Sequence, residues 1–496
     1  MKPRWNDNAE KRILVDIDPY RTRVVLLEDG DPVEFYMERR GRERLVGNIY
    51  KGRVQNVLPG MYAAFVDIRA DKNAFLYAGD IKDTALMLDG EQIEGRIAPK
   101  KIGEMIRTGM DIMVQIVKEP MGTKGARATT QITLPGRTLV FIPTVEFIGI
   151  SKRITNETER KRLKQIVAEM LPEGSGAIVR TAAEGLDDDL IKQDLGSLIS
   201  EWEQIKRRYA EGSAPCLVHR EDSLIFRTVR DLFTGSKVKL IINDREQYEL
   251  VRSLVSPELA EKVEFSDEGG ELFRRYGAEQ AIDAALSRRV WLKSGAYIVI
   301  DQTEALTSID VNTGKYVGNV SLGRTIVETN KEAAVEIARQ LRLRDIGGIV
   351  IIDFIDMEDP ADRADVISTL NEALRCDSTK TVVLGMTQLG LVEVTRKKLG
   401  MNLSASLQKV CPYCSGSGRV LSDETVAMKL RRDLLSRITE ASKGAGFEIV
   451  ASPQVIQLIA EHMDEEYEMD PELADVNISV KPDPLLHAGE YRIKNI

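Results

Sequence analysis

The chain has 496 residues, of which 43% are hydrophobic and 30% are charged, and its formal net charge is −9. This composition is typical of a soluble protein of several domains, and no run reaches the ~18 apolar residues that a membrane-spanning helix requires. The N-terminus lacks the apolar core of a signal peptide, so we expect a cytoplasmic protein; its acidity disfavours a passive nucleic-acid coat but permits an enzyme with a local basic surface.

The first third of the chain alternates short β runs with turns. Residues 12–37 predict two strands and a turn, and a basic stretch begins at Arg39. The runs GNIYKGRVQNVLP, MYAAFVDIRA and NAFLYAG follow, separated by Gly, Pro and Asp. This pattern predicts a small antiparallel barrel, interrupted by an insertion at about residues 80–106.

The middle of the chain mixes strands and helices. We predict a hairpin around Pro135-Gly136, a helix at 156–170, a strand at AIVRTAA and a long helix from 187 to 211. The segment 216–275 again alternates strands with helices. Such alternation indicates an α/β arrangement.

From residue 290 the α/β pattern is sharper. WLKSGAYIVIDQTEALTSIDVNTG predicts two strands, and the amphipathic helix after it ends at Gly347-Gly348. GIVIIDFIDM is almost wholly apolar, which predicts a strand buried on both faces. A helix capped by Asp359 and the strand TVVLGM follow, and residues 420–496 predict a small separate α+β piece.

Two strand-end aspartates in this core are candidate metal ligands. Asp310 ends LTSIDVN and Asp353 ends IVIIDF, and ligands of α/β sheets bind beyond the carboxyl ends of strands. Mg²⁺ needs only one or two protein carboxylates, and the chain has only three histidines for any other metal centre. Asn312 points to the same side as Asp310, where it could hydrogen-bond a substrate or an attacking water.

The simpler interpretation of Asp310 and Asp353 is that they are solvated residues at the ends of strands. Asp356 and Asp301 are weaker candidates for the same site, and Asp359 is better explained as a helix cap. The wholly apolar run before Asp353 favours a functional site, because it places that carboxylate at the edge of a dry core.

Cys411 and Cys414 stand at CxxC spacing and provide half of a tetrahedral zinc site. The alternatives are a redox pair or a plain turn, but a redox pair should open a helix, whereas Gly416 and Gly418 follow here. The simplest completion is the same pair from a second chain, giving four cysteines across a two-fold axis.

Three motifs carry a family resemblance: SIDVN, EIARQLRLRDIGGIVIIDFIDM and CPYCSGSG. With them the chain resembles the ribonuclease E/G family of bacterial endoribonucleases, and within it the ribonuclease G type, from about residue 12 to 420. The resemblance implies a multidomain α/β protein. An OB-type β-barrel RNA-binding domain is inserted near the N-terminus of an RNase H-like/DNase I-like catalytic region, followed by a zinc-link turn and a small C-terminal α+β domain.

The resemblance also implies a division of the chain into subdomains. The divisions are 1–38, first part of the RNase H-like subdomain; 39–127, OB-fold barrel; 128–214, 5′-end sensor region; 215–279, RNase H-like subdomain; 280–400, DNase I-like catalytic subdomain; 401–419, zinc link; and 420–496, small C-terminal domain.

The family's functional residues carry over to matching positions. Asp310 and Asp353 match the aspartates that hold the catalytic Mg²⁺, and Asn312 matches the asparagine beside the scissile phosphate. The RNA-facing positions of the barrel match Phe65, Phe75 and Lys124. The pocket for a 5′-monophosphate matches Arg180 and Thr181, together with Gly136 and Val140 on the neighbouring hairpin.

These assignments have simpler alternatives. Phe65 could be a buried strand residue, and Arg180 could form a surface salt bridge. The sensor loop also departs from the family, with Ala183 and Glu184 where the motif has glycine and valine. A carboxylate beside a phosphate pocket would weaken phosphate binding.

The resemblance therefore implies a cytoplasmic endoribonuclease that cleaves single-stranded A/U-rich RNA with Mg²⁺-activated water. The expected products carry 5′-phosphate and 3′-hydroxyl ends, 5′-monophosphorylated substrates are favoured, and the expected roles are rRNA and tRNA processing and mRNA decay. A Zn²⁺-linked homodimer is implied, with the pairing of dimers left open. The alternatives are a non-catalytic RNA-binding or ribosome-assembly protein and a metal-dependent phosphoesterase acting on DNA.

Overall fold

The structure is a computed structural model that describes residues 9–41, 44–81, 87–88, 91–92, 102–120, 124–234, 237–314, 322–398, 400–441, 445–469 and 476–496. The insertion predicted at about 80–106 lies mostly outside these residues. The chain divides into two compact units, Met1–Ser406 and Leu407–Ile496. None of the helices described is long and apolar enough to cross a membrane.

The first unit contains strands β1 to β23 and helices α1 to α11. The strands are β1 Lys11–Ile17, β2 Arg21–Glu28, β3 Asp31–Arg39, β4 Ile49–Leu58, β5 Ala63–Asp67, β6 Ala74–Tyr77, β7 Met87–Leu88, β8 Glu91–Gln92, β9 Asp111–Lys118, β10 Arg127–Thr129, β11 Leu134–Pro135, β12 Leu139–Ile142, β13 Ile148–Ile150, β14 Gly176–Val179, β15 Cys216–His219, β16 Val238–Ile242, β17 Val263–Phe265, β18 Arg289–Trp291, β19 Tyr297–Gln302, β20 Leu306–Asn312, β21 Gly348–Asp353, β22 Thr381–Met386 and β23 Leu391–Arg396.

The helices of this unit connect its sheets. They are α1 Ile102–Met105, α2 Glu157–Met170, α3 Asp188–Glu211, α4 Leu224–Asp231, α5 Arg245–Leu254, α6 Pro257–Ala260, α7 Leu272–Arg275, α8 Ala278–Leu286, α9 Leu322–Leu343, α10 Pro360–Leu374 and α11 Leu403–Leu407, whose last residue begins the second unit. The predicted helices at 156–170 and 187–211 are confirmed as α2 and α3.

The N-terminal sheet has the strand order β17-β16-β1-β2-β3. Strands β1 to β3 run antiparallel in sequence order, whereas β16 and β17 extend the sheet in parallel with β1. The apolar stretches of β1, β2 and β16 pack with α4 and α5 in one core.

Strands β4, β5, β6, β10 and β9 form a closed barrel, because β9 pairs back onto β4. This closed five-stranded sheet is consistent with an OB-type domain and confirms the predicted barrel. Its interior is filled by aliphatic side chains such as Val54, Val66 and Leu76. β15 pairs with the outside edge of β4 and ties the barrel to the segment after α3.

A four-stranded sheet, β11-β12-β14-β13, lies between the barrel and the catalytic core in sequence. The predicted hairpin at Pro135-Gly136 is confirmed: Pro135 pairs with Val140, and the Gly136 amide donates to the Leu139 carbonyl at 2.8 Å. Helices α2 and α3 pack on this sheet through one apolar cluster. The sheet therefore holds the β11–β12 hairpin firmly beside the end of β14.

The sheet β18-β19-β20-β21-β23-β22 forms the largest core of the chain. β20 and β21 are parallel and connected through α9, and the other neighbours are antiparallel. The prediction that β21 is buried on both faces is wrong. Val350 and Ile352 are buried under α9 and α10, but Ile349 is 50% exposed on the other face, which we call the open face. Within the described residues, helices cover only one side of this sheet.

The second unit, Leu407–Ile496, is an α+β fold of its own. It contains β24 Gly446–Ala451, β25 Asn477–Pro482, β26 Tyr491–Asn495, α12 Asp423–Glu440 and α13 Pro453–Met469. β24 lies between a parallel β25 and an antiparallel β26, and both helices pack on the sheet.

A buried ion triad joins the N-terminal sheet to the catalytic core. Arg342 on α9 pairs with Glu28 at 2.9 Å and with Glu34 at 2.8 Å, and its side chain is only 4% exposed. Burial opposes the charged form, but the hydrogen bonds and charges of both glutamates raise the pKa of Arg342 above its ordinary value. Removing one member of such a cluster leaves buried charge without a partner.

We predict that Arg342→Met destabilises the first unit by about 3–5 kcal/mol, because the buried carboxylate of Glu34 loses its described cation and that of Glu28 keeps only Lys11, at 3.8 Å. The control is Arg324→Met on the same helix, where Arg324 is 69% exposed and pairs with Glu328. That change should cost less than ~1 kcal/mol. Urea denaturation followed by circular dichroism measures both, and equal losses would contradict the role of the triad.

Candidate active site

Asp310 and Asp353 are direct partners across the parallel pair β20–β21. Their Cα atoms are therefore one strand spacing apart, ~4.8 Å. Ile309, Val311 and Ile352 point into the core, so both carboxylates lie on the open face, where they are exposed. The structure thus brings together the two aspartates that the sequence singled out, at the same end of neighbouring strands.

Asn312 belongs to the same constellation. Its Nδ2 donates a hydrogen bond to Oδ2 of Asp310 at 2.8 Å. This bond fixes one oxygen of the Asp310 carboxylate, and because no described residue donates to the amide oxygen of Asn312, that oxygen can accept from a bound molecule. The side chain lies on the open face, as the two-residue spacing from Asp310 predicted.

The electrostatics of the pair favour a bound cation. Desolvation at the sheet surface and the negative charges of Asp310 and Asp356 raise the pKa of Asp353 above its ordinary value. Among the described residues, no group of three or more His, Cys, Asp or Glu side chains is arranged to hold a metal ion, so the protein ligands here would be the two aspartates. Two adjacent carboxylates suit a hard ion such as Mg²⁺, which takes its other ligands from water or phosphate oxygens.

The weaker aspartate candidates have other partners. Asp301 lies on the open face but pairs with Arg288, whose hydrogen bonds lower the pKa of that carboxyl. Asp359 caps α10, as predicted, with Oδ1 accepting from the amide of Ala361 at 2.8 Å. Asp356 is exposed, and its charge contributes to the raised pKa of Asp353.

Phe65 and Phe75 meet on the outside of the barrel. They are Cα partners on β5 and β6, both are half-buried, and their ring centroids are 5.9 Å apart in an edge-to-face arrangement. Phe65 is therefore not a fully buried strand residue. Lys124 is exposed in the segment that leads into β10, the strand beside β6. Ring edges and a nearby cation on one surface suit single-stranded nucleic acid.

The predicted sensor residues share one sheet. Arg180 and Thr181 follow β14, and the Arg180 amide donates to the Thr138 carbonyl at 2.8 Å in the turn that joins Gly136 to Val140. A Cβ atom at Gly136 would lie 2.8 Å from the Asp194 carboxylate, so a larger residue there would have to displace that side chain. The structure thus brings all four predicted residues to the β11–β12 hairpin and the end of β14.

The Arg180 guanidinium forms an ion pair with a carboxylate that the sequence analysis did not predict. Its Nη1 donates to Oδ1 of Asp231 on α4 at 2.6 Å. Burial raises the pKa of Asp231, but the stronger combined effect of hydrogen bonds from Arg230 and Arg180 lowers it below its ordinary value. Glu184, which we expected to weaken this pocket, is exposed and does not pair with Arg180 in the described structure. Thr181 shares a 2.9 Å hydrogen bond with Ser151.

The cysteine turn lies in the second unit. Cys411 is exposed and Cys414 is half-buried, and Ser415, Gly416 and Gly418 have positive φ angles that curl the chain around the sulfurs. Backbone N–H groups of Gly418 and Gly416, followed by the Cys411 thiol, lower the pKa of Cys414. A stabilised thiolate is the form that binds metal, so this turn fits a zinc ligand pair.

Known proteins resemble this chain over most of its length. The model of the ribonuclease E/G family matches residues 133–399. Ribonuclease G of Escherichia coli K12 is 43% identical over 450 residues, covering 90% of this chain and 92% of that protein. Ribonuclease G of Haemophilus influenzae is 43% identical over 451 residues, covering 90% and 91%. Ribonuclease E of a Nostoc species is 37% identical over 383 residues, covering 76% and 54%.

Proposed function

The chain belongs to the ribonuclease E/G family and is an endoribonuclease, a hydrolase of RNA phosphodiester bonds that acts in RNA processing, and we propose that Asp310, Asp353 and Asn312 form its reaction centre. The observation that carries the proposal is the direct pairing of Asp310 with Asp353 on the open face. Membership of this family, rather than the aspartate pair, sets aside the non-catalytic and DNA-cleaving alternatives.

Mg²⁺ is the cofactor that this site would hold, with Asp310 and Asp353 as its protein ligands. The ion would supply an activated water at neutral pH and charge neutralisation at the phosphoryl group. Asn312 orients Asp310 and offers an amide oxygen to the substrate or the water. The chain's three histidines all lie outside strands β18 to β23, which disfavours a histidine acid–base mechanism. Attack by water leaves 5′-phosphate and 3′-hydroxyl ends.

Single-stranded RNA would reach this centre across the barrel. Phe65 and Phe75 can stack with unpaired bases, a contact worth ~1–3 kcal/mol per base, and Lys124 can contact a phosphate. A preference for A/U-rich single strands follows, because such segments are the least paired. We assign rRNA and tRNA processing and mRNA decay as the roles of this activity.

The pocket at Arg180, Thr181, Gly136 and Val140 would bind a 5′-monophosphate. Arginine can donate two parallel hydrogen bonds to a terminal phosphate, and the threonine hydroxyl adds a third. Because Asp231 holds Arg180 in the free protein, the phosphate has to displace a carboxylate. The preference for 5′-monophosphorylated substrates therefore depends on how much more strongly Arg180 binds the 5′-phosphate than it binds Asp231.

Cys411 and Cys414 would share one Zn²⁺ with the same residues of a second chain, giving a homodimer; two such dimers could pair further. The lowered pKa of Cys414 supports a thiolate ligand.

The strand order of the N-terminal sheet, with three antiparallel strands followed by two parallel to β1, supports the RNase H-like subdomain at 1–38 and 215–279. We propose the DNase I-like subdomain at 280–400, the remaining boundaries and a cytoplasmic location on the same family basis.

We predict that Asp310→Asn and Asp353→Asn each lower cleavage of a 5′-monophosphorylated A/U-rich RNA by on the order of 10²–10³-fold, because each removes a carboxylate ligand of the ion that would activate the water and neutralise the phosphoryl charge. Fluorescence anisotropy should show that RNA binding is largely kept. Asp301→Asn, whose residue shares the open face but pairs with Arg288, is the control and should cleave normally. Full activity in Asp310→Asn or in Asp353→Asn would contradict the proposed mechanism. Equal cleavage of a DNA oligomer of the same sequence would show that the enzyme is not specific for RNA.

We predict that Asp231→Asn raises the preference for 5′-monophosphorylated over 5′-hydroxylated RNA by roughly tenfold, since a hydrogen bond to a charged group is worth ~1.5–3 kcal/mol. The ratio of kcat/KM values for the two RNAs measures this preference. Glu184→Gln is the matched control and should leave the ratio near its wild-type value, because Glu184 does not hold Arg180. The opposite pattern, with Glu184→Gln effective and Asp231→Asn silent, would show that the wrong carboxylate has been identified.

We predict that the double variant Cys411→Ser, Cys414→Ser loses bound zinc and dissociates to monomers, because no other ligand pair is available on the described turn. Metal analysis and light scattering give the two readouts. Cys216→Ser with Cys376→Ser, at half-buried sites, should keep both zinc and the dimer. A double variant at the turn that remains dimeric and fully active would argue against the zinc link.

A further inference from the structure

An aromatic cluster with a cation lies on the open face beside the candidate reaction centre. Trp291 and Tyr297 are Cα partners on β18 and β19, and Arg289 is two residues before Trp291. Val290 and Ile298 point into the core, so Arg289, Trp291 and Tyr297 all project from the open face. Nothing in the motifs that identify the family includes these three residues.

The cluster is preformed and accessible. The Trp291 and Tyr297 ring centroids are 5.2 Å apart at an interplanar angle of 62°, and the Arg289 guanidinium is 4.4 Å from the Tyr297 centroid and 5.7 Å from that of Trp291. Trp291 nevertheless remains 62% exposed, although tryptophan is highly buried on average. Among the described residues, no carboxylate pairs with Arg289. The open face therefore presents an aromatic surface and, next to it, a positive charge that is not paired with a described carboxylate.

The strand register connects the cluster to the aspartates. Tyr297 is the partner of Asn312, which extends the row Trp291–Tyr297–Asn312 across three strands. Arg289 and Val299 continue the row of Asp310 and Asp353 in the same way. Trp291 is therefore two strand spacings, ~10 Å between Cα atoms, from Asn312 on one continuous surface.

The chemistry of this side of the open face fits nucleic acid better than an apolar partner. Every base has a π face that can stack on an exposed indole, and a guanidinium can stack on a base or pair with a phosphate. On the other side of Asp353, the exposed side chains of β22 include Val382 and Leu384, which offer no charge to a polyanion. The cation and the aromatic rings lie together on the β18–β19 side.

We propose that Trp291, Tyr297 and Arg289 form a stacking platform for a base that flanks the scissile phosphate of single-stranded RNA. The proposal rests on the assignment of Asp310 and Asp353 as the reaction centre. Trp291 stacks on the base, Tyr297 supports the indole from its edge, and Arg289 contacts the adjoining phosphate. The platform holds one nucleotide at a fixed distance from Asn312, and it contributes affinity with little selectivity among bases.

Binding to a non-cleaving enzyme tests the platform. In an Asp310→Asn background, Trp291→Ala should weaken binding of an RNA with one defined cleavage site by roughly 5- to 150-fold, the usual range for losing one stacked base. Trp291→Phe should keep most of the affinity, because it keeps a ring. Tyr20→Ala, which removes an aromatic side chain that is 81% exposed in the turn between β1 and β2, is the matched control and should bind normally.

Two abasic RNAs give the decisive comparison, one lacking the base on the 5′ side of the cleaved bond and the other lacking the base on the 3′ side. If the platform stacks with one of these bases, Trp291→Ala should no longer weaken binding of the RNA that lacks that base. It should still weaken binding of the other abasic RNA. Wild-type affinity in Trp291→Ala, or an equal penalty with every RNA, would overturn the proposal. Neither result tests the assignment of Asp310 and Asp353 as the reaction centre. That assignment is wrong only if Asp310→Asn or Asp353→Asn still cleaves RNA.

Discussion

Asp310 and Asp353 carry like charges on adjacent positions of a parallel strand pair, and that repulsion must be offset by a cation or by a proton. Desolvation, followed by the negative charges of Asp310 and Asp356, raises the pKa of Asp353 above its ordinary value. The fold maintains the arrangement because β20 and β21 are connected by α9, which packs beneath them, and because Arg342 on α9 is locked to Glu28 and Glu34 of the N-terminal sheet. The packing of the first unit thus fixes the spacing on which the chemistry depends.

The one-sided packing of the catalytic sheet has a functional consequence. A sheet covered by helices on both faces would confine its ligands to the strand ends. Here the described helices pack on one face only, so Val299 in the middle of β19, as well as Tyr297 at its start, adjoins the reaction centre on the other face. A polymeric substrate can therefore lie along the sheet surface instead of entering a closed pocket.

Much of this arrangement could be predicted from the sequence. The apolar run before Asp353 and the polar end of LTSIDVN marked two strand ends, and the spacing of Asp310 and Asn312 gave their common side. The same apolar run was misleading about burial, because Ile349 and Ile351 belong to an exposed face that composition alone does not distinguish from a core. The Arg180–Asp231 pair spans 51 residues, and the place of Trp291 beside Asn312 depends on the register of three strands. Such contacts leave no local pattern.

Mn²⁺ binding followed by electron paramagnetic resonance is the decisive measurement of whether Asp310 and Asp353 jointly bind one divalent ion. We expect one Mn²⁺ that Mg²⁺ displaces, with affinity reduced by about 10- to 100-fold or more in Asp310→Asn and in Asp353→Asn, since even loss of an outer-shell partner costs that much. Asp301→Asn should bind like the wild type. Undiminished Mn²⁺ affinity in both aspartate variants would show that these two carboxylates do not hold the ion.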